Sequence, residues 1–136
     1  MKESLSLQKA QENTGNKKQI VIVEDDLLFS LQLEMQIKRL GYAIAGKVNN
    51  ARDAVEIIKE KKPDLVLMDI FLADDTDGVD AISMIKDFTN VPFIYLTGNT
   101  DQQVRKRAHA SKPVAYIAKP VDKLLLKKII SEILNY

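Results

Sequence analysis

Short apolar runs alternate with longer stretches of helical period along this chain from Gln19 onward. Five of the runs are rich in β-branched and other apolar residues, which is typical of strands, and the first of them is β-branched throughout, as in a strand buried on both faces of a sheet. They lie at Ile20 to Val23, Tyr42 to Val48, Leu65 to Met68, Phe93 to Leu96 and Ala115 to Ala118. Each is followed by a segment whose apolar residues recur every three to four positions, the spacing of an amphipathic helix. The pattern predicts an α/β fold, a doubly wound parallel sheet of five strands with five helices on its two faces.

Capping and breaking residues predict the bounds of the helices. The first helix is predicted over Leu27 to Leu40, with Asp26 as its cap, a long apolar stripe and Gly41 as its stop. The other helices are predicted from Ala51 after Asn49 or Asn50, from Gly78 to Phe88, from Asp101 to Ala110, and after Asp122. The Asp101 to Ala110 segment has a weak apolar stripe, so we expect it to be the least firmly held helix.

Length and composition fit one domain. The chain has 136 residues, enough for a single hydrophobic core. Residues 1–18 are mostly polar, with leucines only at positions 5 and 7, and can bury little apolar surface. We therefore expect a flexible N-terminal tail over residues 1–18 and one domain over residues 19–136.

Charge and cysteine content exclude several classes of function. The 20 basic and 19 acidic side chains leave a net charge of +1, which argues against direct nucleic-acid binding and against a polybasic membrane surface. The absence of cysteine excludes disulfides, thiolate zinc sites and cysteine nucleophiles. No apolar run is long enough to span a bilayer, and the polar start lacks the apolar stretch of a signal peptide, so we expect a cytoplasmic protein.

Polar residues suited to phosphate or metal chemistry follow four of the predicted strands. Glu24 and Asp25 come after the first strand, Asp69 after the third, Thr97 after the fourth and Lys119 after the fifth. In open parallel sheets, ligands bind at the carboxyl ends of the strands. We therefore expect these side chains to meet in one crevice.

The residue types in this set indicate phosphoryl chemistry assisted by a metal. Three carboxylates at one edge repel each other unless a cation lies between them, and oxygen ligands with room for water favour Mg²⁺. Asp69 ends the most apolar strand and is the best candidate nucleophile. A lysine and a hydroxyl supply the positive charge and the hydrogen bond that a transferred phosphoryl group needs. Acidic residues at strand ends also cap helices, and we assign that role to Asp26.

The order of these motifs resembles the receiver domain of two-component response regulators. The resemblance covers all of the chain except the tail, through five segments: 23–26 (VEDD), 67–70 (LMDI), 77–78 (DG), 95–98 (YLTG) and 116–120 (YIAKP). It implies a flavodoxin-like fold with strand order 2-1-3-4-5.

The resemblance also implies a role for each residue at the sheet edge. Asp69 would accept a phosphoryl group from a sensor histidine kinase. Asp25 and Asp69 would bind Mg²⁺, with Glu24 acting largely through water and the main-chain carbonyl of Phe71 as a further ligand. Self-catalysed phosphoryl transfer and dephosphorylation would be the only chemistry, so the protein would be a signalling switch and not an enzyme in the usual sense.

The remaining roles concern the phosphoryl group and the output. Thr97 would hydrogen-bond the phosphoryl oxygen, and Lys119 would form an ion pair with it. The Lys119–Pro120 peptide bond would be cis, which would direct the lysine toward the site. Tyr116 resembles the family's switch aromatic, which moves inward with the threonine, although a strand tyrosine can also be simply half-buried. The signal would leave through the fourth helix, fifth strand and fifth helix toward a downstream protein target, from a monomer or a weak dimer formed through that face.

Two side chains near the motifs add further expectations. Bulky Phe71 stands two residues after Asp69, where it would shield an aspartyl phosphate from attacking water. His109 is the only histidine and lies on a polar helix, so we interpret it as a surface residue. The acidic run at 73–77 is interpreted as a solvated loop, with a loose second cation site as the alternative.

Other functional classes remain open at this stage. The chain could be a receiver-like interaction module that is never phosphorylated, or the receiver part of a hybrid histidine kinase. A phosphatase with an aspartate nucleophile would have a second acid two residues after it, where Phe71 stands. A flavin-binding domain would have Ser, Thr or Gly in the first strand-to-helix turn, and these are absent.

Overall fold

A computed structural model describes residues 17–72, 76–98 and 102–135 of the chain. Five parallel strands form one sheet in the order β2-β1-β3-β4-β5, which confirms the predicted fold class and strand order. The strands are β1 (Gln19–Val23), β2 (Ala43–Val48), β3 (Leu65–Asp69), β4 (Phe93–Thr97) and β5 (Ala115–Ala118). The helices are α1 (Leu27–Arg39), α2 (Ala51–Lys61), α3 (Gly78–Lys86), α4 (Gln102–Ala110) and α5 (Lys123–Leu134).

The central strands are buried on both faces because their alternate side chains enter two separate cores. Successive strand residues point to opposite faces of a sheet. Val21 and Val66 therefore pack with α2, α3 and Ala108 of α4 on one face. Ile22 and Leu67 pack with α1 and α5 on the other face. This arrangement explains why the strands are continuous apolar runs without polar alternation.

Side-chain caps are present at four helices; three of them were predicted, and Asp77 at the start of α3 was not. Asp26, Asn50, Asp77 and Asp122 each accept a hydrogen bond from a backbone N–H in the first turn of the helix that follows. The choice between Asn49 and Asn50 is settled in favour of Asn50, whose side chain accepts from the Asp53 N–H at 2.9 Å. Gly41 follows the first helix with a φ of 98°, as expected for a residue that ends a helix.

Three predicted elements were one or two residues too long, whereas β1 and β4 each extend one residue further than predicted, to Gln19 and Thr97. The first helix ends at Arg39, and Leu40 is its C-cap because its N–H bonds back to the carbonyls of the last turn. The second strand begins at Ala43, since the Tyr42 N–H still bonds to the Ile37 carbonyl. The third helix ends at Lys86, and the chain turns before Phe88.

The apolar stripe predicted along the first helix is only partly buried. Ser30, Leu33 and Ile37 form the buried face of α1, at the spacing expected for a helix lying flat on a sheet. Phe29 is partly buried, and four further large apolar residues of this helix face outward: Leu27, Leu28, Leu31 and Met35. Leu27 is 80% exposed, so this surface is more apolar than the fold requires.

Helix α4 buries little but is attached to its neighbours by polar contacts. Ala108 is its one buried residue among positions 102–110. Arg107 forms a forked ion pair, with Nη1 2.8 Å from Asp77 Oδ2 and Nη2 2.6 Å from Asp80 Oδ1. After the helix, the Ser111 hydroxyl lies 2.6 Å from the Tyr95 hydroxyl. These contacts join α4 to the start of α3 and to β4.

Three expectations concern residues outside the described part of the chain. The tail predicted over residues 1–18 falls there except for Lys17 and Lys18. The loop predicted at 73–77 is described only at positions 76 and 77, and Asp101 is not described.

None of the described helices has the length and apolar character needed to cross a lipid bilayer.

Glu34 joins α1 to β2, and we expect this contact to make stability depend on pH. Its carboxylate lies 2.8 Å from Lys47 Nζ and 2.9 Å from Lys38 Nζ. Hydrogen bonds from Lys47 and then Lys38 lower the pKa of Glu34 below its ordinary value of 4.5. A carboxyl with a lowered pKa in the folded state stabilises the protein above its unfolded value, and this is lost as the pH falls through the folded value.

Replacing Glu34 with Gln should therefore reduce the free energy of unfolding at pH 7 by about 0.5 to 1 kcal/mol. The difference from wild type should shrink as the pH falls below 4.5, which urea unfolding at several pH values will measure. Glu60→Gln is the matched control, because Glu60 is well exposed and its nearest ammonium, of Lys61, is 3.9 Å away. Equal losses in the two variants, or a difference independent of pH, would contradict the prediction.

Candidate functional site

The carboxyl ends of β1, β3 and β5 bring three of the predicted site residues into contact. Val23 and Met68 are partners across β1 and β3, so Glu24 and Asp69 follow at neighbouring positions. Both carboxyl groups are buried, with Glu24 1% and Asp69 4% exposed. Lys119 directly follows β5, and its N–H donates to the Thr97 carbonyl at 2.8 Å. The Lys119–Pro120 peptide bond is cis, as the resemblance implied.

The ammonium group of Lys119 bridges the two buried carboxylates. Its Nζ donates to Glu24 Oε1 and lies 3.2 Å from Asp69 Oδ2. The other oxygen of Asp69, Oδ1, accepts from the Phe71 N–H at 3.2 Å. Asp69 is thus held by a charged donor on one side and by backbone on the other.

Glu24, Asp25 and Asp69 form a carboxylate cluster suited to a cation. Each offers an oxygen, and these oxygens lie within 4.8 Å of one another. The second oxygen of Glu24, Oε2, is buried and has no hydrogen-bond partner among the described residues. Buried polar atoms are rarely left without a partner, so this oxygen is suited to contact a cation or its water. The donor set is all oxygen, and it fits the Mg²⁺ predicted from the sequence.

The electrostatics of the cluster also favour a bound cation. Burial, together with the neighbouring carboxylate of Asp69, raises the pKa of Glu24 to about 8, although Lys119 acts in the opposite direction. Partial burial and the charge of Asp69 raise the pKa of Asp25. Burial alone would lower the pKa of Lys119, but its hydrogen bond to Glu24 and the two carboxylates raise it. Raised pKa values show that the ionised carboxylates lack sufficient positive charge around them, and with all three ionised beside one ammonium the two remaining negative charges would be neutralised by a divalent ion.

Thr97 lies near Asp69 at the carboxyl edge of the sheet and shares a cavity with Tyr116. Thr97 ends β4 one residue after Leu96, the cross-strand partner of Asp69. A cavity of about 390 Å³ lies between β4, β5 and α4, lined by Ile70, Thr97, Arg105, Ala108, His109 and Tyr116. Tyr116 is 40% exposed at the edge of this cavity, with its ring centroid 5.9 Å from that of Tyr95. His109 is an exposed residue, as predicted.

Gly78 allows the backbone at the start of α3 to approach the backbone of Asp69 closely, which the sequence pattern does not predict. Its N–H donates to the Ile70 carbonyl at 2.6 Å, which brings the start of α3 against the end of β3. A Cβ atom at this position would collide with the carbonyl oxygen of Asp69. Only a residue without a side chain fits here.

Phe29 is a second residue that pattern reasoning missed. Its ring centroid lies 4.6 Å from Lys119 Nζ. A residue near the start of the first helix and a lysine after the fifth strand are 90 positions apart in the sequence. No spacing rule could have joined them.

The fold and the carboxylate cluster agree with what comparison with known proteins shows. The family model described as the response regulator receiver domain matches residues 20–131. The chain belongs to the response regulator receiver domain family. Response regulators are signalling proteins of two-component systems, so the resemblance inferred from the motifs is confirmed.

Two curated relatives of this receiver domain differ in how much of them it spans. It is 36% identical over 119 residues to the chemotaxis protein CheY of Halobacterium salinarum, covering 87% of this chain and 98% of that protein. It is 33% identical over 103 residues to the transcriptional regulatory protein PdtaR of Mycobacterium tuberculosis, covering 76% of this chain. That match spans only 50% of PdtaR.

A solved structure adds a metal-bound relative. The receiver domain of a sensor histidine kinase from Pseudomonas aeruginosa PAO1 was crystallised with a magnesium ion coordinated in its active-site cleft. It is 28% identical to this chain, covers 88% of it and 99% of its own length, and has a TM-score of 0.79.

Replacing Gly78 with Ala should disturb the site through the backbone of Asp69. Alanine at a helical position is ordinarily more favourable than glycine. Here its Cβ meets a carbonyl that cannot move freely, so we expect a net loss of about 1 to 3 kcal/mol in the free energy of unfolding. Weaker Mg²⁺ binding should accompany it, measured by titration calorimetry.

Gly98→Ala provides the control, because a Cβ there meets nothing within 4 Å in the described part of the chain. Its free energy of unfolding should stay close to that of wild type. A Gly78→Ala protein as stable as wild type, with the same Mg²⁺ affinity, would contradict the assigned role.

Proposed function

We propose that this receiver domain is a phosphoacceptor switch in which Asp69 receives a phosphoryl group from the phosphohistidine of a sensor histidine kinase. The observation that carries the proposal is the Lys119 ammonium 3.2 Å from Asp69 Oδ2, inside a cluster of three carboxylates. A lysine beside the acceptor compensates charge when a phosphoryl group arrives.

Each oxygen of the Asp69 carboxylate has its own hydrogen-bond donor, and this arrangement suits the carboxylate to attack a phosphoryl group. One carboxylate oxygen of Asp69 attacks phosphorus, and a new phosphorus–oxygen bond forms as the phosphorus–nitrogen bond to the kinase imidazole breaks. The bonding electron pair leaves with the imidazole nitrogen, which then takes up a proton. The Phe71 N–H on Oδ1 and the Lys119 ammonium on Oδ2 orient the carboxylate for this attack. Such positioning and charge compensation supply most of the catalysis in phosphoryl transfer.

Mg²⁺ is the proposed cofactor, and when bound it would neutralise charge on the oxygens of the transferred group. Asp25 and Asp69 would hold it directly, with the carbonyl of Phe71 as a further ligand and Glu24 largely through water. The magnesium ion in the Pseudomonas aeruginosa relative supports this assignment. The buried Glu24 Oε2 without a partner among the described residues also supports it.

The exposed apolar surface of α1 supports docking of a kinase beside the site. Leu27 lines a hollow of about 250 Å³ together with Glu24, so this surface adjoins the carboxylate cluster. Leu28 and Leu31 continue it along the helix. Exposed apolar surface of this kind marks a protein interaction site. A kinase that buried it would bring its histidine close to Asp69.

The output proposed for this switch passes from Thr97 to Tyr116. Thr97 would hydrogen-bond the phosphoryl oxygen, and Tyr116 would turn from its half-exposed position into the cavity that both residues line. Helix α4 forms a wall of the same cavity, and it buries little beyond Ala108. A change there would alter the α4-β5-α5 face, through which we propose that a downstream protein target, or a second copy in a weak dimer, is contacted.

The proposed phosphoacceptor function belongs to the receiver domain itself. Because the matches cover nearly all of CheY but half of PdtaR, both a stand-alone receiver and the receiver part of a longer regulator or hybrid kinase are consistent with it. Residues 19–136 are the proposed domain, residues 1–18 a tail, and the cytoplasm the proposed location.

Incubation of the protein with acetyl phosphate and Mg²⁺ should add one phosphoryl group, detected as a mass increase of the intact protein. Asp69→Asn should abolish the adduct, because an amide oxygen is a far weaker nucleophile than a carboxylate. Omission of Mg²⁺ should slow labelling strongly. A protein that stays unlabelled with acetyl phosphate and with phosphorylated kinases would instead be an interaction module.

Replacing Phe71 with Asn should speed hydrolysis of the aspartyl phosphate. The Phe71 side chain is 48% exposed beside Asp69, where an apolar ring would keep attacking water away and an amide would admit it. We expect the phosphorylated protein to decay severalfold faster in this variant, followed by intact mass after removal of the donor. Phe71→Leu serves as the control, since it stays apolar. Equal decay of wild type and Phe71→Asn would rule out the shielding role.

A further inference from the structure

Phe29 contacts the lysine of the site with the face of its ring. The Lys119 Nζ lies 4.6 Å from the ring centroid, within the range of a cation–π interaction. We propose that Phe29 is a positioning residue that holds the Lys119 ammonium over Asp69 during phosphoryl transfer. The inference rests on the phosphoacceptor function proposed above and adds a residue that the motifs do not include.

A lysine at this position needs to be positioned because its side chain is flexible. The ammonium is a point charge on a stem of four rotatable carbons. In this site it is held from three sides, by Glu24, by Asp69 and by the ring of Phe29. The side chain of Lys119 is still 24% exposed, so water competes for the ammonium.

The three contacts differ in what happens to them during the reaction. Glu24 and Asp69 are the carboxylates that would also serve the cation, and Asp69 would become the phosphoryl acceptor. Their charges and hydrogen bonds must therefore change as the reaction proceeds. The ring of Phe29 is neutral, binds no metal and accepts no group. It is the contact of Lys119 that can stay the same before and after transfer.

The ring itself is fixed by the start of α1. The Phe29 N–H donates to Asp26 Oδ1 at 3.1 Å, so the helix cap holds the backbone of this residue directly. The side chain packs against the core that lies under α1 and α5. Beside it runs a groove of about 100 Å³ lined by Leu33, Pro120 and other residues, which leaves room for a slightly larger aromatic ring.

Phe29→Leu removes the aromatic face but keeps an apolar side chain, and Phe29→Tyr keeps the face and adds a hydroxyl. The matched control is Phe88→Leu, because Phe88 makes the same kind of contact with Lys59 at 5.0 Å on another part of the molecule. Acetyl phosphate is the donor, so that kinase docking on α1 does not affect the rates. Rates over a range of donor concentrations separate the rate constant at saturation from the apparent affinity for the donor.

We expect Phe29→Leu to lower the rate constant at saturating acetyl phosphate by about threefold to tenfold, because a cation–π contact of this strength sets the fraction of time that the ammonium is held over Asp69. Phe29→Tyr should stay within about twofold of wild type, and Phe88→Leu should match wild type. A Phe29→Leu protein that reacts as fast as wild type overturns the proposal. So does a Phe29→Tyr protein as slow as Phe29→Leu, or a Phe88→Leu protein that is slowed equally.

A second measurement does not depend on phosphorylation. Protons above an aromatic face are shielded, so the NMR signals of the Lys119 ε-methylene group should move toward those of a free lysine in Phe29→Leu and remain displaced in Phe29→Tyr. If wild type is never labelled, the phosphoacceptor function fails while this shift still decides whether Phe29 holds the lysine. Unchanged Lys119 signals in Phe29→Leu would overturn the positioning role in either case.

Discussion

The positive charge of Lys119 is the constraint on which the carboxyl edge of the sheet depends. Glu24 and Asp69 are almost fully buried and lie close together, an arrangement that two negative charges cannot maintain unaided. The ammonium group contacts both carboxylates and links the ends of β1, β3 and β5. A bound divalent cation would complete the compensation, so the chemistry of the site and the stability of this edge rest on the same charges.

The two-faced core is what allows so polar a site to exist at the edge of the sheet. Strands β1, β3 and β4 are packed on one side by α2, α3 and α4 and on the other by α1 and α5. Four crossover connections join the five strands, so the side chains after the strand ends occupy fixed positions. The collision of any Cβ at Gly78 with the Asp69 carbonyl indicates how closely the first turn of α3 is fitted to this edge.

The fold and most of the site were predictable because they follow from local patterns. Continuous apolar runs marked the strands, and the polar residue after each run marked the edge where Glu24, Asp69 and Lys119 meet. What could not be predicted depends on long-range packing. The exposure of Leu27 was missed because apolar spacing does not say which side of a helix meets the sheet. The contact of Phe29 with Lys119 joins residues 90 positions apart, and the need for Gly78 arises from the approach of one backbone to another.

The attachment of α4 has a consequence for solution conditions. This helix is joined to α3 by the forked pair of Arg107 with Asp77 and Asp80, whose charged groups are accessible to water. Mobile ions screen such pairs, whereas the hydroxyl contact of Ser111 with Tyr95 is not ionic and is insensitive to them. Rising ionic strength should therefore loosen the contact of Arg107 with α3 before it affects the contact of Ser111 with β4. The preferred position of α4, and with it the surface offered to a partner, then depends on the salt content of the medium as well as on the state of Asp69.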